Sequence, residues 1–412
     1  MNRRVAITGI GGIAATGNDI PRLWTALKAG ICGIGPITNI PTERLTARVA
    51  AEIKGFNPPA HFEPKRLALL DRGTQLALVA TREAVRDAGI DTAAAGGRGG
   101  AVLAAALGHD SLDATYKSFY GDGASRVHPF TVPRAMPSGA ASHISMEFGL
   151  RGPTMALASA CASSNHAIGY AFQMVRAGML DLAITGGADA SVVVGFLKSW
   201  EALRVLSPDV CRPFSLGRAG LVIGEGGAMF VLEAWDAAVA RGAAIHAELI
   251  GFGCSADAGD ITAPSAAGAA ASMQAALADA GLPSAAIGYV NAHGTGTRLN
   301  DRTEVAALRM VFGDHLPKLP VSSTKSMLGH CMTASGALEL VATVLALRDG
   351  VLPPTIGFTA LDPECDIDCV PNASRACAVE FALSNSLAFG GLNATLVARR
   401  ASARPHRTLE SA

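Results

Sequence analysis

Apolar and polar positions along this chain follow strand and helix periods in turn, and one stretch near position 160 joins the two. Residues 155–158, Met-Ala-Leu-Ala, form a short apolar run that is typical of a buried strand. Small, helix-compatible residues follow from Ala162 to a glycine at position 178, which predicts a buried helix that ends there. Cys161 lies between the two elements, so the pattern places its thiol on a turn at the start of a helix.

A thiol at the start of a helix is a candidate nucleophile. Backbone N–H groups at that end lack partners, and together with the helix dipole they favour a thiolate and lower a cysteine pKa below roughly 8.5. Ala160 and Ala162 are small and leave the sulfur accessible on a tight turn. The alternative is a buried structural thiol, because a cysteine among alanines is commonly a core residue. The rest of the chain has to decide between the two.

The hydrophobic pattern of the second half repeats that of the first in outline. Strands are predicted at 4–12, 101–108, 181–190 and 228–235, and helices at 24–29, 64–89 and after Cys161, whereas the Gly- and Pro-rich segment 108–139 is expected to hold little helix. From 244 onward the pattern predicts a strand at 246–253, a helix at 266–281, a strand at 287–294 and a strand, turn and helix at 319–350.

The run at 319–350 shares its design with the Cys161 run, including an Arg-x-Gly end. This predicts an internal duplication with halves at 1–243 and 244–400, and a loosely ordered polar tail at 401–412.

Composition narrows the classes of function. The chain has 412 residues, of which 50% are hydrophobic and 17% charged, so a large interior is buried. Lys plus Arg and Asp plus Glu number 34 each, which argues against a general nucleic-acid or membrane-surface partner. The most apolar helical run, 337–347, is too short to span a bilayer and no apolar signal segment opens the chain, so we expect a cytoplasmic protein.

Two common types of site are disfavoured by spacing. The eight cysteines form no C-x-x-C pair, so neither a zinc site nor a disulfide framework is expected, and we predict no metal. Gly9 and Gly11 suggest a dinucleotide-binding turn, but the third glycine that this motif needs is replaced by Ala14.

Three further segments carry residues that suit a reacting carbonyl group. Asn-Ala-His-Gly-Thr-Gly-Thr at 291–297 contains His293, the segment 322–330 contains Lys325 and His330, and Ala-Phe-Gly-Gly-Leu-Asn at 388–393 contains Phe389. Each alone has an ordinary explanation as a surface loop or turn. A cysteine at a helix start with two histidines, a lysine and a glycine turn indicates a reaction in which a carbonyl oxygen gains negative charge.

With these motifs and four others, the chain resembles a known family. Gly-Leu-Arg-Gly-Pro at 149–153, Ser-Ala-Cys at 159–161, Arg-Pro-Phe-Ser at 212–215 and Gly-Glu-Gly-Gly at 224–227 complete the similarity to the type II group of β-ketoacyl-acyl-carrier-protein synthases, in the thiolase superfamily. The segments 136–145, 159–168 and 197–206 are most similar to the branch with nodulation protein E and polyene synthases. The resemblance implies a thiolase-like, five-layered αβαβα fold of two duplicated halves, in a dimer that needs no organic cofactor.

The chemistry that this resemblance implies is a decarboxylative Claisen condensation by a 3-oxoacyl-[acyl-carrier-protein] synthase. Cys161 takes an acyl chain from an acyl carrier protein as a thioester, and a malonyl carrier protein then loses carbon dioxide to give the attacking enolate. His293 and His330 match the residues that donate hydrogen bonds to the enolate oxygen, which requires neutral imidazoles. Lys325 and Glu339 match the family's buried pair that supports the second histidine.

The resemblance also assigns residues around the reacting groups. The backbone N–H groups of Cys161 and Phe389 match an oxyanion hole, and Phe389 matches an aromatic gate between acylation and condensation. The residues expected to bind the substrate or its phosphopantetheine arm are Thr295, Thr297, Leu107, Trp200, Gly390 and Thr131, the last reaching across a dimer. The residues expected to dock the acidic carrier protein are Lys65, Arg66, Arg126 and Arg204.

Departures and alternatives remain at this point. Ala162 and Leu392 stand where the housekeeping enzyme has threonine, so support around the site differs. A non-catalytic chain-length partner of a heterodimer is a second candidate, but it would lack the nucleophile that Cys161 provides. A degradative thiolase is a third, but it needs a second cysteine in the glycine turn at 388–393, which has none. Whether the chain forms a homodimer or pairs with a homologous subunit stays open.

Overall fold

The chain is built around one ten-stranded sheet, seen in a computed structural model that describes residues 2–105 and 109–401. The strands are β1 (Val5–Ala14), β2 (Gly99–Ala104), β3 (Thr154–Leu157), β4 (Leu182–Ala190), β5 (Glu225–Ala234), β6 (Ala247–Ala256), β7 (Tyr289–Asn291), β8 (Val321–Ser322), β9 (Phe381–Ala388) and β10 (Leu392–Arg400). Their order across the sheet is β8-β7-β9-β10-β6-β1-β5-β4-β2-β3. Two short strand pairs, Gly35–Pro36 with Val49–Ala50 and Val351–Leu352 with Arg375–Ala376, lie outside it.

The two halves of this sheet have the same topology. The first half contains β1–β5 and the second β6–β10. Counted along the chain within each half, the first strand pairs antiparallel with the fifth, and the fifth pairs antiparallel with the fourth. The fourth strand pairs parallel with the second, and the second pairs parallel with the third. The halves meet where Val5–Ile7 of β1 pairs with Ala247–Leu249 of β6. The chain therefore traces one path twice, which confirms the expected duplication. The boundary at 243/244 and the tail at 401–412 stay predictions.

Helices cover both faces of each half and fill the space between the halves. They are α1 (Ile20–Ala29), α2 (Pro64–Leu67), α3 (Arg72–Ala88), α4 (His109–Tyr116), α5 (Thr131–Ala135), α6 (Gly139–Phe148), α7 (Ser163–Arg176), α8 (Val194–Ala202), α9 (Trp235–Ala240), α10 (Ala266–Ala280), α11 (Arg298–Phe312), α12 (Lys325–Leu328) and α13 (Ser335–Asp349).

These helices and the sheet form five layers. Helices α3 and α6 pack on the outer face of the first half, α10 and α11 on the outer face of the second, and α7 and α13 between the halves. This is the expected αβαβα fold. Helix α13 is buried along almost its whole length, which explains why Glu339 and Thr343 are the only polar residues between positions 336 and 347 of its sequence. No helix in the described residues is long and apolar enough to cross a membrane.

Two of the predicted elements were wrong. The helix expected at 64–89 is divided into α2 and α3, because the Asp71 carboxylate accepts the Thr74 N–H and starts a new helix there, while Gly89 with φ 58° ends it as expected. The segment 108–139 was expected to hold little helix but contains α4, α5 and a π-helical turn at Lys117–Gly121. Pro133 is tolerated in the first turn of α5, where an N–H group has no partner within the helix.

Candidate active site

The turn that carries Cys161 has a strained backbone held by side-chain hydrogen bonds. After β3 the chain makes a 3₁₀ turn over residues 160–162, and Ala160 lies in the left-handed region with φ 47°, which is costly for a residue other than glycine. The Ser163 hydroxyl accepts the Ser159 N–H at 2.9 Å and donates to the Ala160 carbonyl at 2.7 Å. These contacts fix the thiol at the start of α7, between the two halves of the fold.

The thiol of Cys161 is buried, and this corrects one expectation. Only 8% of the residue is exposed, and burial raises the pKa of the thiol to about 11, against the opposing charge of Lys325. The prediction of a lowered pKa was wrong, because the loss of water on burial outweighs the charge of Lys325 and the backbone hydrogen bond, which both lower the pKa. The resting group is therefore a neutral thiol at physiological pH, and its proton has to leave during the reaction.

His330 presents one particular nitrogen to the site. Its Nδ1 accepts the Met332 N–H at 3.1 Å and lies 2.9 Å from the Ser335 hydroxyl. A nitrogen that accepts a backbone N–H carries no proton itself, so these partners assign the proton of the neutral ring to Nε2. The Nε2–H group is left as a hydrogen-bond donor.

His293 has the same tautomer for a different reason. The Lys325 Nζ donates to the His293 carbonyl at 2.6 Å and lies 3.3 Å from its Nδ1. An ammonium group has only donors, so Nδ1 accepts and Nε2 carries the proton. The rings of His293 and His330 are 5.4 Å apart between centroids and meet edge to face at 85°.

Both imidazoles are held neutral. Burial first, and then the positive charge of Lys325, keep the pKa of His293 and of His330 well below the ordinary value of 6.5. The neutral state that the family resemblance implies for these two residues is therefore the state that the surroundings favour, and the site offers two neutral N–H donors.

A buried ion pair supports this arrangement. Lys325 of α12 and Glu339 of α13 form a salt bridge in which each side chain is only 2% exposed. Burial raises the pKa of the Glu339 carboxyl, and the adjacent Lys325 opposes that shift. Since the same ammonium also donates to the His293 carbonyl, the pair connects α13 to the loop that carries the first histidine.

Two acidic residues that the sequence analysis missed hold the loop of His293. The Glu304 carboxylate accepts the N–H groups of His293 at 2.8 Å and Gly294 at 2.7 Å, and burial raises its pKa to about 7. Asp301, one turn earlier on α11, accepts the N–H of Gly296 at 3.2 Å. The signal was present in the sequence as two carboxylates one turn apart, directly after a glycine-rich loop.

One cavity of about 310 Å³ brings the reacting groups together. The residues of the constellation that line it are Cys161, His293, His330, Thr295, Thr297, Trp200 and Phe389. The Thr295 and Thr297 hydroxyls lie 2.9 Å apart, and the rings of Trp200 and Phe389 are stacked at 5.6 Å between centroids. The cavity therefore combines a thiol, two N–H donors, a pair of hydroxyls and an aromatic wall.

Two other predicted residues, Gly390 and Thr131, do not line this cavity. Gly390 is not among its lining residues and donates its N–H to the Ile261 carbonyl at 2.7 Å. Thr131 starts α5, where its hydroxyl donates to the His128 carbonyl at 2.8 Å, so the reach across a dimer stays a prediction. Leu107 lies outside the described residues.

The four predicted docking residues are in different environments. Lys65, Arg126 and Arg204 are exposed. Arg204 directly follows Leu203, which lines the cavity. Arg66 instead forms a salt bridge with Glu147 at 2.6 Å. Across residues 2–105 and 109–401, no group of three or more His, Cys, Asp or Glu side chains is placed to hold a metal ion.

Comparison with known proteins gives a consistent match over nearly the whole chain. The family models for the N-terminal and C-terminal domains of β-ketoacyl synthase match residues 2–238 and 246–359. The chain is 46% identical to nodulation protein E of Rhizobium sp. (strain N33), with 97% of this chain and 100% of the relative covered. It is 41% identical to 3-oxoacyl-[acyl-carrier-protein] synthase 2 of Staphylococcus aureus (strain COL), with 97% and 99% covered.

A solved structure is also similar over nearly the whole chain. The ishigamide ketosynthase/chain length factor superposes with a TM-score of 0.91 at 36% sequence identity, covering 98% of this chain and 100% of that one.

Proposed function

Because the chain belongs to the β-ketoacyl synthase family, we propose that it condenses an acyl group held on Cys161 with a malonyl group delivered by an acyl carrier protein, as a 3-oxoacyl-[acyl-carrier-protein] synthase. The observation that carries this proposal is the single cavity in which the Cys161 thiol meets two neutral imidazoles, each with its proton on Nε2.

The first step is acyl transfer to Cys161. The sulfur attacks the carbonyl carbon of an acyl thioester on the carrier protein, the bond from that carbon to the carrier sulfur breaks, and the Cys161 proton ends on the released carrier thiol. The backbone N–H groups of Cys161 and Phe389 stabilise the oxyanion that forms in between, a role in which one donor is typically worth roughly 3 to 4 kcal/mol.

The second step is decarboxylation followed by attack. The malonyl thioester loses carbon dioxide, and the N–H donors of His293 and His330 stabilise the enolate oxygen that develops. The enolate carbon then attacks the carbonyl carbon of the acyl-Cys161 thioester, the carbon–sulfur bond breaks and a 3-oxoacyl thioester leaves on the carrier. One proton is taken up to restore the thiol, which its raised pKa favours. Neutral donors suit this step because they stabilise the new charge without binding the substrate carboxylate as an ion pair.

The substrate arm and its carrier complete the proposal. The Thr295 and Thr297 hydroxyls are placed in the cavity wall to bind the amides of a phosphopantetheine arm. No cofactor besides that arm is proposed. The acidic carrier protein docks against the exposed cations Lys65, Arg126 and Arg204, whereas Arg66 is already engaged by Glu147. The cytoplasmic location stays a prediction, and so does the choice between a homodimer and a heterodimer.

A second candidate function is that of a partner subunit in a heterodimer. This candidate is supported by the similarity of the chain to the structure of a ketosynthase/chain length factor. The complete set of thiol, imidazoles and buried ion pair argues that this chain would be the catalytic subunit of such a pair.

Intact-mass spectrometry tests the proposal. The protein is incubated with a panel of acyl carrier proteins that carry different chains, and then with a malonyl carrier protein. We expect an acyl adduct on the wild-type protein, none on the variant Cys161→Ala, and discharge of the adduct to a 3-oxoacyl product with release of carbon dioxide. A folded wild-type protein that forms no adduct with any member of the panel would contradict the proposal.

A further inference from the structure

His166 contacts both ends of the turn that carries Cys161. It lies in the first turn of α7, and its Nδ1 is 2.8 Å from the Ser159 hydroxyl oxygen and 3.1 Å from the Ala162 carbonyl oxygen. Ser159 precedes the thiol by two residues and Ala162 follows it directly. One ring nitrogen therefore joins the two sides of the turn, with the nucleophile between them.

The proton of the His166 ring is on Nδ1. A carbonyl oxygen only accepts hydrogen bonds, so the nitrogen that faces the Ala162 carbonyl has to carry the proton. The Ser159 hydroxyl oxygen shares the same N–H group, and shared donors of this kind are common at helix ends. Burial lowers the pKa of His166, against the hydrogen bond to the Ala162 carbonyl, so the ring is neutral at physiological pH. This tautomer is the opposite of the one found in His293 and His330.

The other side of the imidazole packs against the second half of the fold. Phe252 of β6 meets the His166 ring edge to face at 6.1 Å between centroids and 80°. Phe252 is itself buried, and Gly169 of α7 leaves room for its ring, which a Cβ at that position would overlap. Tyr170 meets the same ring at 5.6 Å and 64°. The orientation of His166 is therefore set by the turn on one side and by the second half on the other.

The turn is one that needs such support. Ala160 has a φ angle of 47°, and strained backbone of this kind persists only where its surroundings fix it. Met332, before α13, has a similar φ angle of 45°. The residue six positions after Met332 is Leu338, whereas His166 is six positions after Ala160. Leucine offers no hydrogen bond, so of these two turns only the one with Cys161 is joined by an imidazole.

We propose that His166 is a positioning residue, whose Nδ1–H group joins the two ends of the turn and so fixes where the Cys161 thiol stands in the cavity. The inference rests on the proposed function, because it concerns the attack of that thiol on an acyl thioester. His166 does not line the cavity, so it acts on the reaction through the backbone of residues 159–162.

This role determines which half reaction depends on His166. Acyl transfer requires the sulfur to meet the acyl carbonyl carbon at a defined distance and angle, and a misplacement of about 1 Å costs up to about 100-fold in rate. Decarboxylation of malonyl thioester on unacylated enzyme does not use the sulfur: carbon dioxide leaves, and the carbanion takes a proton from water to give acetyl thioester. Loss of the His166 contact should therefore slow acylation and spare decarboxylation.

Substitutions at position 166 separate the contact from the volume of the side chain. His166→Leu removes the N–H group. His166→Asn keeps one in place, because the amide nitrogen of asparagine is attached to Cγ, as Nδ1 of histidine is, whereas the amide nitrogen in His166→Gln lies one bond further out. His315→Leu is the matched control, since Nε2 of His315 lies 3.0 Å from the Ile287 carbonyl and the residue does not line the cavity.

Both half reactions are measured on each variant. Acylation of Cys161 is followed by intact-mass spectrometry at several concentrations of an acyl carrier protein, and acetyl carrier protein formed from malonyl carrier protein is measured on unacylated enzyme. We expect the maximal acylation rate of His166→Leu to fall roughly 10- to 100-fold, with the half-saturating carrier concentration changed less than about twofold. We expect His166→Asn to acylate faster than His166→Gln, His315→Leu to acylate at the wild-type rate, and every variant to keep decarboxylating at a rate close to that of wild-type protein.

The outcomes separate a positioning role from a merely structural one. A folded His166→Leu protein that acylates at the wild-type rate would overturn the inference. Equal losses of acylation and decarboxylation in that variant would also overturn it, because a general weakening of the fold predicts that result. If His166→Leu does not fold, the other two variants decide, and equal acylation rates of His166→Asn and His166→Gln would again overturn the inference. Absence of any acyl adduct on wild-type protein would instead contradict the proposed function itself.

Discussion

The turns that precede the two central helices, α7 and α13, share a backbone and differ in chemistry. Ala160 precedes Cys161 in the first turn and Met332 precedes Thr333 in the second, and their φ angles are 47° and 45°. Each turn leads into a helix that begins with a serine and is followed by a glycine of positive φ. The duplication therefore supplied two strained turns at two helix starts, which face the same central region.

Only the first turn carries an available nucleophile. The Thr333 hydroxyl donates to the Asp189 carboxylate of β4 at 2.8 Å, and that carboxylate also accepts the Thr333 N–H at 3.3 Å. The second turn is thus tied to the first half, while the residues around it, His330 and Glu339, provide and support the N–H donors. One copy of the duplicated turn provides covalent chemistry, and the other organises electrostatic stabilisation.

The largest contrast is expected between substitutions at the two equivalent positions. Cys161→Ala removes the acyl acceptor, so condensation should fall at least about 1,000-fold. Thr333→Val removes the hydroxyl that donates to the buried Asp189 carboxylate and should cost about 1 to 3 kcal/mol of unfolding free energy, while the acyl adduct still forms. Denaturant unfolding and intact-mass spectrometry on both variants check this. Loss of the adduct in a folded Thr333→Val protein would show that the two turns are not divided in this way.

Breaking the buried ion pair of the second half is the next test. Lys325→Met leaves the Glu339 carboxylate buried and unpaired, which should cost about 3 to 5 kcal/mol of unfolding free energy. The double variant Lys325→Met with Glu339→Leu should recover most of that stability without recovering condensation, because the contact of Lys325 with the His293 carbonyl is still missing. Condensation at the wild-type rate in the double variant would contradict the role given to the pair.

The pH dependence of condensation should report on the two imidazole donors of the second half. Because the pKa values of His293 and His330 are lowered, the donors stay neutral as pH falls to 6.5, and condensation by pre-acylated enzyme should decline only below that pH. Unfolded histidines titrate near 6.5 and bind more protons than the folded ones below it, so the stabilising contribution of these groups is present above pH 6.5 and is lost as pH falls. Single-turnover rates and unfolding free energies between pH 5 and about 8 measure both effects. A decline in condensation that begins above pH 6.5 would contradict the neutral pair.

The smallest effects are expected at the first residues of the two helices. Ser335→Ala removes the contact with His330 and should slow condensation more than acylation, whereas Ser163→Ala loosens the Cys161 turn and should slow acylation more. Each loss is that of roughly one hydrogen bond, or about 1 kcal/mol. Separate measurement of the two half reactions on both variants compares them directly, and equal slowing of both steps in both variants would remove the distinction.

The sequence allowed the thiol, the histidines and the lysine to be found, because each stands in a local motif at the end of a strand or the start of a helix. The duplication was visible as well, since the runs around Cys161 and at 319–350 share their order of apolar and small residues. What local motifs do not show is burial, and the pKa of Cys161 was misjudged for that reason, because desolvation depends on residues far away in the chain.

Contacts between distant segments were missed for the same physical reason. Asp189 accepts the N–H of Thr333, a residue of the other half of the fold, and nothing in the sequence around Asp189 indicates that partner. The break between α2 and α3 depends on whether Asp71 turns its carboxylate to the N–H of Thr74 or to solvent, which periodicity does not determine.

The most direct test of the division between the two turns is to run both half reactions on Cys161→Ala and on His330→Ala. We expect Cys161→Ala to take no acyl group yet still to release carbon dioxide from malonyl carrier protein, because the donors of the second half remain. We expect His330→Ala still to take the acyl group on Cys161, but neither to decarboxylate malonyl carrier protein nor to condense at more than a small fraction of the wild-type rate. Wild-type decarboxylation by a folded His330→Ala protein would show that the two turns do not divide the chemistry in this way.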